Sequence, residues 1–155
     1  MLKDIIFFDK QVAIKLSNAA LAQSKTMDSP LVIEIQVYFS CLLGKRLAFY
    51  SEKIMKGAWC LDKLEFEEVI KKSEHLTGNV YISFNTVMTK SCPVSDYIGP
   101  PPVTDFEIKN QAPYVPSWLN IGFNNDQWSG QFGWDASESG LSNTKQIRGR
   151  AQQVE

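Results

Sequence analysis

One histidine, three cysteines and a handful of carboxylates set the limits of what chemistry this 155-residue chain can do. Any triad, two-histidine metal site or imidazole acid/base scheme has to run through His75. Cys41, Cys60 and Cys92 stand too far apart for a zinc pair or a redox dithiol. Cys60 is the best thiol candidate, because it follows Trp59 just before a helix start, where backbone amides can lower a thiol pKa. Cys41 falls in step with the apolar side of its strand and reads as core.

Paired carboxylates are the other route to catalysis. Asp126 and Asp135 flank an aromatic stretch, and Asp96 and Asp105 flank a run of three prolines. A glycosidase holds two acids roughly 5–10 Å apart, and tryptophan neighbours raise a carboxyl pKa. Asp beside Gly and Asn is equally a turn residue. Neither a P-loop nor a dinucleotide-type glycine pattern is present, and no cofactor or metal is implied.

The aromatic stretch "FNNDQWSGQFGWD", Phe123 to Asp135, carries Trp128, Phe132 and Trp134 in a nearly uncharged frame of Gly, Asn, Gln and Ser. With Trp118 and Tyr97 these are the candidate binding residues, since a few aromatics with a polar rim dominate recognition surfaces. The competing reading is a hairpin whose aromatics cover one end of the core. Tyr97 sits at the base of "DYIGPPPVTDF", a stiff segment that reads as a rigid connector or a lip beside a pocket.

The elements that position these residues follow from periodicity. Val12, Ala13, Leu16, Ala19 and Ala20 fall at helical spacing, so Asp9 to Lys25 is expected to be a helix, with Ile14 and Leu21 stranded on the opposite side. Pro30 ends that region. Ile33, Ile35, Val37 and Phe39 then alternate with Glu34, Gln36 and Tyr38, and residues 31–51 read as a β-hairpin turning near Gly44. Asp62 and Glu65 form a capping-box pattern, and Glu67, Glu68, Lys71 and Lys72 suit a helix dipole. A helix is expected over 62–77, stopped by Gly78. Residues 79–89 alternate again as a strand.

Beyond Lys90 the texture changes, with six of the seven prolines between Pro93 and Pro116. The expected architecture is a single α+β domain spanning 1–155, with two helices packed on an antiparallel sheet. A loop-rich aromatic segment over 91–136 and a tail over 137–155 complete it.

Composition narrows the function. A formal net charge of −1 gives no cationic groove for nucleic acid, and Lys145, Arg148 and Arg150 form only a small basic cluster. Asp4 and Asp9 interrupt "MLKDIIFFDK", so it is not a signal peptide, and no apolar run spans a bilayer. Free thiols point to the cytoplasm. The favoured reading is a non-enzymatic binding module, an adaptor, inhibitor or regulatory partner, that engages a protein or a second copy of itself through an aromatic surface. The alternatives are a small hydrolase using carboxylates beside Trp128 and Trp134, and a sugar or small-molecule binder that stacks on those tryptophans.

Overall fold

The computed structural model describes residues 1–39, 43–88 and 111–135. Within them the chain is mixed α+β, with two helices and two sheets of mixed strand orientation. The first sheet has the order β1-β2-β8-β9 and the second β5-β4-β3-β7-β6, with strand bounds given below. Their inner faces share one apolar core containing Val12, Ile14, Ile33, Ile35, Leu119 and Trp128.

The first hairpin replaces the helix expected from Asp9 onward. β1 (Leu2–Phe7) and β2 (Lys10–Leu16) pair antiparallel around Phe8 and Asp9, both at positive φ. A two-residue turn with that geometry matches the right-handed twist of its strands. Val12, Ile14 and Leu16 alternate inward while Gln11, Ala13 and Lys15 face out. Ile14, which a helix would strand on the wrong side, is fully buried by the strand. Helix starts only at Ser17, whose Oγ accepts from Ala20 N at 3.1 Å, and α1 runs from Asn18 to Thr26.

The 31–51 hairpin is present as β3 (Leu31–Phe39) and β4 (Leu43–Ser51). The sheet around it is not purely antiparallel: β7 (Val80–Met88) pairs with β3 in parallel, and β5 (Trp59–Cys60) pairs with β4 in parallel. β3 is therefore bonded on both sides, and its two faces are both buried over Leu31 to Val37.

The second helix is shorter than expected. α2 runs from Lys63 to Lys71 behind an Asp62 cap, with the reciprocal Asp62–Glu65 capping box formed. The chain then straightens into β6 (Glu74–Thr77), which turns at Gly78 and Asn79 into β7. Leu76 turns into the core from β6 and Val80 does so from β7 across the turn. Gly78 has φ of +54°, and a Cβ there would lie 2.2 Å from the Ser24 carbonyl oxygen. Only glycine fits this turn against the end of α1. α2 lies on the outer face of the five-stranded sheet, where Phe66 packs with Val32, Ala48, Tyr50 and Leu61.

A short 3₁₀ turn, Ala112–Tyr114, leads into β8 (Trp118–Asn124) and β9 (Gln127–Gly133). Their hairpin closes through Asn125 and Asp126, again two residues at positive φ. The aromatic part of the expected loop-rich segment is thus regular β structure. Tyr97, the prolines from Pro93 to Pro102, Asp96, Asp105, Cys41, Cys92 and the tail over 137–155 lie outside the described residues.

Candidate binding surface

The aromatic hairpin sends most of its rings inward. Trp128 and Phe132 are almost fully buried on the inner face of β9, and Trp128 meets Phe123 edge-on at 5.1 Å. Trp118 is buried on the opposite face, its indole laid over Gly133, where a Cβ would stand 2.8 Å from the ring. Among the described residues its Nε1 has no hydrogen-bond partner. Trp134 alone of these four shows substantial surface, at 37% exposure. Its Nε1 donates to Tyr114 O at 3.0 Å, and Lys45 Nζ lies 5.6 Å from its ring while donating to the Phe132 carbonyl. A glycan platform needs an open ring face, and one half-covered indole is a small one.

The carboxylates of this hairpin do not converge. Asp126 occupies the turn and Asp135 follows the far end of β9, nine positions further along mainly extended chain, roughly 30 Å at strand rise. That separation excludes a two-acid site made from the pair.

Among the described residues neither the histidine nor the thiol is bonded to a nucleophile or a second acid or base. His75 stands in β6, not in a helix end, with Nε2 2.9 Å from Gly78 O and its ring against Tyr81. Cys60 is exposed, and its Sγ donates to Glu52 O at 3.3 Å. The Asp62 carboxylate already takes the Glu65 amide of the first turn of α2. Among the described residues no group of three or more His, Cys, Asp or Glu could hold a metal ion, and no helix is long and apolar enough to cross a membrane.

A polar cluster that sequence reasoning missed lies under the outer face of the five-stranded sheet. Register places Gln36 opposite Arg46 and Glu34 beside Ser83. Gln36 Nε2 donates to Glu34 Oε1 at 2.7 Å and to the Tyr50 hydroxyl at 2.9 Å, and Arg46 Nε donates to Gln36 Oε1 at 2.9 Å. Ser83 Oγ donates to Glu34 Oε2 at 3.1 Å, and the Arg46 guanidinium stacks on Trp59 at 4.9 Å. Burial pushes the Glu34 carboxyl above its usual range, outweighing the Gln36 and Ser83 hydrogen bonds and the Lys72 and Arg46 charges that lower it. Burial likewise raises the Tyr50 phenol and lowers the Arg46 guanidinium. Glu34, Gln36, Arg46, Tyr50 and Ser83 are each 9% exposed or less, so the cluster is an internal brace. The signal for it was Glu34 and Gln36 in a strand whose hairpin partner carries Arg46 and Tyr50.

The surface that stands out is the edge of the four-stranded sheet. Leu2, Ile6 and Phe8 are 76%, 62% and 52% exposed. Leu2 and Ile6 point to the outer face of β1, and Phe8 sits at the turn with its ring 6.1 Å from Phe84. Leu16 N donates to Met1 O at 2.9 Å, which makes Met1 and Leu16 a bonded pair. Bonded pairs alternate along an antiparallel ladder, so Lys3, Ile5 and Phe7 also turn their backbone groups toward β2. The N–H and C=O groups of Leu2, Asp4 and Ile6 therefore aim at the open edge, where no strand pairs among the described residues. Lys3 Nζ anchors the strand by donating to Leu76 O across the sandwich at 2.8 Å. Ile54 and Leu64 are also exposed, but they stand singly.

Compared with protein-family models, curated proteins and solved structures, the chain matches none of them.

Proposed function

We propose that the protein is a non-enzymatic binding module that receives a polypeptide partner along β1. The observation that carries this reading is a strand whose outer edge no other strand pairs among the described residues, with Leu2, Ile6 and Phe8 all exposed. Long apolar edges template pairing with another chain, and natural proteins normally blunt or cover them. A partner strand would satisfy the backbone groups of Leu2, Asp4 and Ile6 and remove apolar surface from water, each fully buried side chain contributing about 1.5–3 kcal/mol. Of the aromatic residues expected to form a surface at the β8–β9 hairpin, Trp134 beside Lys45 is the exposed one. The closed polar cluster and the separated Asp126 and Asp135 give a hydrolase little support.

Photo-crosslinking from the full chain tests this directly. A benzophenone side chain placed at Ile6 should trap discrete protein species in cells. The same group at Ser129, exposed on β9, should not. Identical patterns from the two positions would defeat the reading.

A further inference from the structure

Asp4 stands between Leu2 and Ile6 on the outer face of β1, exposed, and no ion pair to it is formed among the described residues. Its carboxylate is the one charge among the three residues whose backbone groups face the open edge. Any added strand places one side chain directly opposite each of Leu2, Asp4 and Ile6, because cross-strand neighbours share a face.

A second copy of β1 fits this pattern poorly. Antiparallel pairing about a two-fold axis at Asp4 sets the two Asp4 carboxylates directly opposite one another, which is destabilising. Slipping by one bonded pair in either direction sets Asp4 against Leu2 or Ile6 of the other copy, leaving each carboxylate against hydrocarbon. A strand with a cation in the middle position has neither fault.

Resting on the reading of β1 as a docking edge, we infer that its occupant is an extended segment patterned apolar-x-Lys/Arg-x-apolar. The basic side chain pairs with Asp4, and the flanking apolar side chains cover Leu2 and Ile6. Asp4 supplies register and selectivity, since a one-residue slip would turn the cation to the opposite face. The backbone ladder supplies the common part of the affinity.

The test uses the full chain and two fluorescein-labelled peptides, Thr-Val-Thr-Lys-Thr-Val-Thr and its Glu-for-Lys counterpart, followed by fluorescence anisotropy at low salt. The Lys peptide should bind the natural chain about three- to fivefold more tightly than the Glu peptide, the scale of a cross-strand charge pair. Asp4→Lys should reverse that preference, and Asp4→Asn should abolish it while binding persists. Equal binding of the two peptides to the natural chain would overturn the inference and leave the docking edge standing. Absence of binding by either peptide overturns it as well, and if crosslinking at position 6 is also blank, the docking edge falls with it. Sedimentation of the chain alone supplies the last outcome: a dimer that Ile6→Asp dissolves would put a second copy on β1 and overturn the inference.

Discussion

β3 and β1 are both strands of alternating pattern, yet their outer faces are opposite in character. The outer face of β3 carries Glu34 and Gln36, charged and polar, and hides them. The outer face of β1 carries Leu2 and Ile6, apolar, and shows them. Position in the sheet explains the first half of the contrast. β3 is bonded by β4 and β7 on its two sides, so its polar side chains must find partners inside, and Gln36 bridges Arg46 to Glu34. Among the described residues β1 is bonded on one side only, and its outer side chains Leu2 and Ile6 are exposed. Stability accounts for the brace on β3. It does not account for the hydrocarbon on β1, and that is why the functional reading settles there.

The contrast breaks most visibly if the brace is cut. Arg46→Ala should destabilise by about 3–5 kcal/mol, measured by urea unfolding, because it leaves the buried Gln36 amide oxygen without its donor and empties the space the side chain fills beside Trp59. A loss below about 1 kcal/mol would mean that the cluster is decoration. Trp128→Ala belongs to the same scale, with about 3–5 kcal/mol expected for a large aromatic deleted from the shared core.

A smaller effect isolates Glu34 itself. Its folded pKa is raised, so the native state holds the proton more tightly than the unfolded state, whose value is near 4.5. Stability from this group is complete below the unfolded value and is lost as pH rises from there through the raised folded value. Glu34→Gln should flatten that decline, and the difference in unfolding free energy between the two proteins should grow with pH across the interval. A constant difference would place the Glu34 proton affinity at its ordinary value.

Effects on β1 should be smallest in stability. Ile6→Ser is expected to change unfolding free energy by no more than about 0.5 kcal/mol, as for other exposed sites. The same substitution should weaken peptide binding severalfold. A stability loss as large as that of Trp128→Ala would mean that Ile6 is structural after all.

The parts legible in sequence were those fixed by local chemistry. The 31–51 alternation and the Asp62–Glu65 capping box each report a short-range geometry, and both are present. The errors came where two periods coincide. Val12 and Leu16 are four apart, which suits a helix, and also even-spaced, which suits a strand. Ile14 decides between them, because only the strand puts it in the core beside both. At the end of α2, Leu76 extended the helical pattern by spacing alone, whereas tertiary burial against β7 pulled it into β6.

The sites were less legible than the elements. Trp118, Trp128 and Phe132 drew attention by residue type, and large aromatics are what a small core uses first. "LKDIIF" drew none as a site, since exposed Leu and Ile become notable only when their strand is found at a sheet edge. The Glu34 cluster needed the register of three strands before its members met.

Amide hydrogen exchange along β1, read by NMR on the full chain with and without the lysine peptide, tests the central claim most directly. Alone, Lys3, Ile5 and Phe7 should exchange slowly because their amides bond β2, while Leu2, Asp4 and Ile6 exchange fast. With the peptide bound, those three fast amides should become protected and the rest of the sheet should stay unchanged. Protection appearing elsewhere, with Leu2, Asp4 and Ile6 still fast, would contradict the account.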